Sequence, residues 1–311
     1  MEAAEDTSEG AVDGRRDMLL GNGAAFATIL AWGTIFPLVE QLLLQWDIFS
    51  TTAARQLIGG VALLALLAIR KRRFPLRRTL PWRHMILLGF FGPVFSSTLT
   101  TLAVSLAGSV AVAIVYATGP IVAALTAWVA FRLPLQPGIA LGIAFACVGG
   151  LILTLGRIDD ARFSGGEGFM ILSMISWTWY SIACQRWLKG FSQLEIAGYS
   201  MFPGGVILVV AVVVMAVTGV YDIRLPINET TLVLALFIGI VPIGIGNLSW
   251  HIGVSRLGVT MMAIYANFIP VIAILTAMAF GARPTLFHLL GGIVILAGVL
   301  AVQLRTLQRA R

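Results

Sequence analysis

GSVAVAIVYATGPIVAALTAWVAFRLP, residues 108–134, and GVTMMAIYANFIPVIAILTAMAFGARP, residues 258–284, are one passage written twice. Gly108 aligns with Gly258, Ala113 with Ala263, Ile114 with Ile264, Pro120 with Pro270 and Pro134 with Pro284, and Leu125-Thr126-Ala127 recurs as Leu275-Thr276-Ala277. The match extends upstream. Gly21 and Gly23 correspond to Gly166 and Gly168, Trp32 to Trp177, and Gly59-Gly60 to Gly204-Gly205. A membrane unit repeated within one chain points to a carrier with its site where the two copies meet.

Of the 311 residues, 59% are hydrophobic and 11% charged, with a mean hydropathy of +0.94. Soluble domains carry about 25% charged residues, so this chain cannot cover a water-facing surface and belongs in lipid. A crossing takes about 20 apolar residues. About ten stretches qualify, approximately 18–39, 51–69, 84–104, 109–131, 137–155, 168–188, 195–218, 231–254, 259–281 and 286–304. The expected fold is an all-α integral membrane protein of ten transmembrane helices in two five-helix repeats. Residues 1–17 are expected to be a disordered cytoplasmic tail, 18–156 the first repeat, and 157–311 the second repeat with a short basic end. The first span makes a poor cleavable signal, because its apolar run is long and no small-residue cleavage site follows.

Charge placement sets the orientation. Arg15, Arg16, Arg70, Lys71, Arg72, Arg73, Arg77, Arg78 and Arg83 fall in one set of alternating loops, with Arg132, Arg186, Lys189, Arg256, Arg305, Arg309 and Arg311. The opposite loops hold only Arg157, Arg162, Arg224 and Arg283. The positive-inside rule puts the first set and both termini in the cytoplasm. An odd number of spans per half then inverts the second copy relative to the first, and two inverted halves can alternate access by exchanging conformations. The basic loops suit anionic lipid headgroups, so the pI near 10.1 does not imply nucleic acid. Cys147 and Cys184 fall inside apolar spans and read as packing residues, with no disulfide framework. No metal site or cofactor is expected. Asn228-Glu229-Thr230 fits a glycosylation sequon but hugs the membrane, and chance accounts for it.

Pro37, Pro93, Pro120, Pro203, Pro242 and Pro270 all lie within spans. Proline removes a backbone hydrogen bond and bends its helix, and in lipid the freed carbonyl must face protein or a watery cavity. The matched pairs Pro93 with Pro242 and Pro120 with Pro270 are therefore candidate gating hinges. The glycine-rich faces let helices approach closely, and ten helices supply internal partners enough for a monomer.

Ionisable groups inside a membrane are costly and become site candidates. Arg55 either attracts a carboxylate or snorkels to water and caps neighbouring carbonyls; its nearness to the span end favours the structural role. His251 either carries a proton, bonds a substrate or sits satisfied in the core. Glu40, Asp47, Glu167 and Glu195 are at span ends, where interface placement suffices. The absence of a mid-membrane carboxylate weakens acid-relay proton antiport, and a multiply charged substrate would need several buried cations. Aromatic and small polar groups are plentiful instead. Trp32 and Phe36 share a helical face, as do Trp177, Tyr180 and Ser181. Tyr116 precedes Pro120, and Tyr265, Asn267 and Phe268 precede Pro270. Ser97 and Thr100 follow Pro93, and Asn247 follows Pro242. Trp46, Trp82 and Trp250 read as interface belt residues, whereas Trp32 and Trp177 lie deeper, as a paired cavity wall or as core packing. The candidate substrate-binding set is Trp32, Phe36, Ser97, Tyr116, Trp177, Tyr180, Asn247, His251, Tyr265 and Asn267. Aromatic walls with a few hydroxyls and amides suit a mostly apolar, zwitterionic or monocationic solute.

Leu30-Ala31-Trp32-Gly33 resembles the Trp-Gly opening of the drug/metabolite transporter superfamily, in its ten-helix EamA-type branch. Arg55-Gln56-Leu57 is similar to that branch's Arg-Phe-Leu signature, and Gly108 to Leu153 resembles its fourth and fifth helices, a resemblance that Gly258 to Leu300 repeats. Glu40 stands where the family often has Lys. Phe131-Arg132-Leu133 and Gly281-Ala282-Arg283 replace its Gly-Glu-Arg turns, so the roles of those charges do not carry over. Within the superfamily the chain looks most like the bacterial aromatic amino acid exporters. The resemblance implies efflux of neutral and aromatic amino acids and related metabolites across a bacterial inner membrane, or of hydrophobic cations such as methyl viologen.

A channel would call for a charged ring or carbonyl filter, and neither is seen. An enzyme would call for a nucleophile with its base or a metal motif, and scattered His84, His251 and His288 make no constellation. A secondary carrier for amino acids is the leading expectation, and a multidrug or hydrophobic-cation efflux carrier is the alternative.

Overall fold

A computed structural model describes residues 2–72, 81–135, 139–155 and 164–309. The expected repeat boundary at 156–157, and Arg73, Arg77, Arg78, Arg157, Arg162 and Arg311, lie outside the described residues. Among the described residues all regular structure is helical. The first half holds α1 (Glu2–Gly33), α2 (Ile35–Leu43), α3 (Ile48–Lys71), α4 (Trp82–Gly89), α5 (Ser97–Ala107), α6 (Ser109–Tyr116), α7 (Gly119–Phe131) and α8 (Ile139–Leu155). The second holds α9 (Gly166–Trp187), α10 (Gln193–Thr218), α11 (Glu229–Ile238), α12 (Asn247–Ala266), α13 (Ile269–Ala279) and α14 (Leu286–Arg309).

Five of the described helical runs are long and apolar enough to cross a membrane: Met18–Leu43, Ile48–Lys71, Trp82–Ala107, Gln193–Thr218 and Glu229–Leu257. A sixth is the pair α6 and α7, bent by 54° at its break. Ala140–Gly149, Ile269–Ala279 and Leu286–Gly298 are shorter apolar helices. α9 has the length, but three serines, Glu167, Gln185 and Arg186 dilute its apolar content. The protein is thus a multi-pass, all-helical membrane protein. At the N-terminus, where a disordered tail is expected, the backbone of α1 is helical from Glu2. Ala and Glu, which recur in this stretch, have high intrinsic helix propensity.

Local chemistry fixes where the helices start. Asp47 caps α3, its Oδ1 accepting from the Phe49 and Ser50 amides at 2.8 and 2.9 Å. Its Oδ2 accepts from the Arg224 amide at 2.9 Å, which ties the 224–228 segment to the start of α3. Ser192 and Glu195 form a capping box on α10, and Asn228 and Thr231 form one on α11. Each cap satisfies amides that the first helical turn leaves without partners.

Repeat-equivalent helices lie against each other. α3 packs along α10 and α8 along α14. Gly60 meets the backbone of Met201 and Phe202, Gly205 meets the backbone of Gln56 and Leu57, and Gly198 meets Leu63 and Leu64. Residue number rises on one helix as it falls on the other, so α3 and α10 are antiparallel. The same holds for α8 and α14, where Gly149 meets Ile295 and Gly298 meets Phe145. Without side chains at these crossings the backbones close to van der Waals distance, the main source of helix association in lipid.

The prolines act in two different ways. Pro93 and Pro242 sit in π-helical turns, Phe90–Ser96 and Gly239–Gly246, inside otherwise continuous helices. The wider turn absorbs the missing N–H without a break. Side chains serve several of its carbonyls: Ser176 Oγ donates to Phe91 O at 2.7 Å, Ser173 Oγ to Ser96 O at 2.8 Å and Trp32 Nε1 to Pro242 O at 3.1 Å. Pro120 and Pro270 instead open α7 and α13, immediately after true breaks at Ala117–Thr118 and Asn267–Phe268. First-turn proline loses no hydrogen bond there and cannot extend the preceding helix. Pro203 stays within regular α10.

Candidate substrate site

Between the two halves lies a cavity of about 140 Å³. Its wall draws on both copies: Trp32 and Phe36 from α1 and α2, Arg55 and Gln56 from α3, Ser97 and Thr100 from α5, Ser173, Trp177 and Ser181 from α9, and Asn247 and Trp250 from α12. Both broken helices reach it as well, through Tyr116, Gly119 and Pro120 at one break and Asn267 and Ile269 at the other.

Trp32 organises the aromatic side. Its ring meets Trp177 edge-on at 5.6 Å and stacks on Trp250 at 5.1 Å. Phe36 and Tyr116 pair at 5.6 Å. These separations fall in the favoured range for aromatic pairs. The Trp32 indole is anchored by its bond to Pro242 O, and a Cβ at Gly246 would collide with it at 2.6 Å. The π turn and the tryptophan therefore fit together as one piece.

The polar side is a hydroxyl and amide web. Arg55 Nη2 donates to Ser97 O at 2.8 Å and to Thr101 Oγ1 at 2.9 Å. Thr52 Oγ1 donates to Thr101 Oγ1 at 2.8 Å, and Gln56 Nε2 donates to Ser97 Oγ. Ser173 Oγ lies 3.0 Å from Ser96 Oγ and 2.7 Å from Thr100 Oγ1. Asn247 Nδ2 donates to Ile243 O at 2.6 Å, which orients its amide. Several atoms in the wall have no protein partner: Arg55 Nε, Gln56 Oε1, Trp177 Nε1, Ser181 Oγ, Asn247 Oδ1 and Trp250 Nε1. Buried polar atoms are ordinarily bonded, and these six lie together in one wall.

The structure brings Trp32, Phe36, Ser97, Tyr116, Trp177, Asn247 and Asn267 to the cavity together with Pro120. It places Tyr180, His251 and Tyr265 elsewhere. Tyr180 packs behind Trp177 at 4.9 Å, and its hydroxyl lies 2.7 Å from Ser200 Oγ and 3.4 Å from His251 Nε2. Tyr265 donates to Asn22 Oδ1 at 2.9 Å, joining α12 to α1. Pro93, Pro242 and Pro270 are not among the residues that line the cavity.

Some readings change. Arg55 does cap a carbonyl, but it does not snorkel: it is 1% exposed, because α10, α5 and α11 cover α3. Trp250 is a cavity residue rather than a belt residue. Trp46 is buried and donates to Pro226 O at 2.8 Å, while Trp82 is exposed. Asn228 is engaged as a cap and with Gln45 Oε1 at 2.6 Å. Ser173, Met170 and Met174 enter the wall without having been singled out, and Gln56, quoted only within the Arg55-Gln56-Leu57 motif, joins them. Helical spacing carried a signal for Trp250, three residues beyond Asn247, and for Ser173, one turn before Trp177. No three His, Cys, Asp or Glu side chains gather as metal ligands among the described residues.

Comparison with known proteins converges on one family. Residues 19–155 and again 164–304 match the EamA-like transporter family. The chain is 24% identical over 220 residues to the "Uncharacterized transporter YyaM" of Bacillus subtilis strain 168, covering 69% of this chain and 71% of that protein. It is 25% identical over 289 residues to a "Probable terminal-alkyne amino-acid exporter" of Streptantibioticus cattleyicolor, covering 93% and 95%. A solved crystal structure superposes with a TM-score of 0.66 at 21% identity, covering 94% of this chain and 99% of that one, so the fold is shared. With two repeats accounting for nearly the whole chain, the protein is a transporter belonging to the EamA-like family of the drug/metabolite transporter superfamily.

Proposed function

We propose that the protein is a secondary carrier that exports or exchanges neutral amino acids, aromatic ones included, and related metabolites across a bacterial inner membrane. The observation that carries the reading is the cavity itself: a tryptophan cluster, Trp177–Trp32–Trp250, faces hydroxyls and amides whose bonding capacity is only partly used. Such a wall takes up an apolar side chain on one side and a small polar head on the other. The volume is on the order of a cavity that holds one aromatic ring. The Streptantibioticus relative's name points to amino-acid export in that protein, and its likeness spans nearly the whole chain.

In this proposal ten crossings form two inverted five-helix repeats with both termini in the cytoplasm. The antiparallel pairs α3–α10 and α8–α14 support the inversion, and the loop charges support the orientation. A monomer supplies the whole site. Alternating access proceeds by bending at the breaks before Pro120 and Pro270 and at the π turns around Pro93 and Pro242.

The test is flux of phenylalanine, methionine and threonine in proteoliposomes containing the purified protein, with a panel of hydrophobic cations in parallel. Saturable flux stimulated by counter-substrate is expected for the amino acids. Saturable cation transport with no amino-acid transport refutes the reading.

A further inference from the structure

Among the described residues Arg55 is the one acidic or basic side chain in the cavity wall, and no carboxylate pairs with it. Both of its hydrogen bonds leave from Nη2 and end on neutral oxygens, while Nε has no partner. A buried cation left without a counter-charge is strongly unfavourable, and guanidinium is charged under all working conditions. Its neighbours across the cavity add to the imbalance. The indole N–H groups of Trp177 and Trp250 are unpartnered donors. Gly119 and Pro120 bring the N-terminal, positive end of the 13-residue helix α7 to the same space. The site therefore presents positive charge and spare donors, and it lacks a negative group.

Asn247 works in the opposite sense. Because its Nδ2 donates to a backbone carbonyl, which can only accept, the free atom is the acceptor Oδ1. A ligand that satisfies both Arg55 and Asn247 carries an anionic acceptor and a donor on a small head, with an apolar body for the tryptophans. A hydrophobic cation meets Arg55 with like charge and leaves the donors unserved.

We infer that Arg55 is a substrate-binding residue that holds the carboxylate of a zwitterionic amino acid in this cavity, with the ammonium group directed toward Asn247 Oδ1. The inference rests on the amino-acid reading above and sharpens it: a free carboxylate is required, and carboxylate-free cations are excluded as substrates.

The experiment is calorimetric binding to the purified full chain in detergent, with phenylalanine, phenethylamine (which lacks the carboxylate), 3-phenylpropionate (which lacks the ammonium) and tetraphenylphosphonium as ligands. In the native protein phenethylamine and tetraphenylphosphonium are expected to bind at least about tenfold more weakly than phenylalanine, the scale of a lost charged hydrogen bond. 3-Phenylpropionate should fall between. Arg55→Gln should bring phenylalanine and phenethylamine to within about twofold of each other, while Arg55→Lys, which keeps the charge but not the fork, should retain part of the preference. Equal binding of phenylalanine and phenethylamine by the native protein overturns the anchor while leaving the amino-acid reading intact, and this arm does not depend on any variant folding. A preference that survives in folded Arg55→Gln also overturns it. If phenylalanine does not bind at all, the amino-acid reading falls and the anchor falls with it.

Discussion

Gly60 on α3 rests against the backbone of Phe202 on α10 so closely that a Cβ there would lie 2.7 Å from the Phe202 Cα. Its repeat partner Gly205 makes the reciprocal contact, with Leu57 Cα 2.6 Å from the same hypothetical atom. Position 57 corresponds to 202 as 60 does to 205, so the two contacts are one interaction seen from both copies. Backbone atoms cannot step aside as a side-chain tip can, and the crossing is rigid.

That reciprocity predicts a matched pair of effects. Gly60→Ala and Gly205→Ala should each destabilise the protein by about 1–3 kcal/mol, the cost of overpacking a closed interface. Gly23→Ala, where a Cβ meets nothing within 4 Å, should be neutral or slightly stabilising. Thermal unfolding followed by size-exclusion fluorescence ranks the three, and a tolerated Gly60→Ala would mean that α3 and α10 separate more easily than this packing allows.

Trp177 meets Trp32 by an edge contact and Tyr180 by a tilted one, and it borders the cavity directly. Trp177→Ala should raise the KM for phenylalanine about tenfold while changing that for threonine by less than about twofold, because only the aromatic substrate uses this wall. Competition uptake in proteoliposomes reads both. Parallel losses for the two substrates would place Trp177 in the scaffold rather than in the binding surface.

His251 is 1% exposed and lies behind Tyr180 instead of in the cavity wall. His251→Gln should preserve the pH profile of transport, with the amide able to keep a bond to the tyrosine hydroxyl. A flattened profile in this variant would assign proton coupling to a residue that never touches the solute.

Pro120 and Pro270 open α7 and α13 after breaks, where proline contributes a preset backbone angle rather than a kink. Alanine at either place lets the preceding helix run on across the junction. Pro120→Ala and Pro270→Ala should therefore lower the maximal flux several-fold, on the order of 1 kcal/mol in the transition between states, with KM changed by less than about twofold. Counterflow and net-flux assays distinguish that outcome from simple loss of binding, which would appear as a raised KM.

Much of the architecture was legible because it depends on local or repetitive features. The two proline passages mark the two broken helices, and the paired glycines mark the crossings, since neither signal needs to know its partner. The matched Pro93 and Pro242 were legible as helix breakers, yet their effect was not. Whether a proline bends a helix, breaks it or sits in a π turn depends on which side chains serve the displaced carbonyls. Here those are Ser176 and Trp32, the latter 210 residues from Pro242.

The linear sequence by itself determined that this chain lives in lipid, is built from two copies and has aromatic and hydroxyl residues beside its helix breaks. These follow from hydropathy, repetition and backbone chemistry, which are properties of the chain alone. Only the tertiary structure decided which of those residues share a cavity. Tyr180, His251 and Tyr265 lie on suggestive helical positions but face other helices, whereas Trp250 and Arg55, which read as interface residues, face inward. The difference is rotational. A helix buried on several sides in a membrane has no single polar face to set its orientation, so contacts with neighbouring helices set it instead.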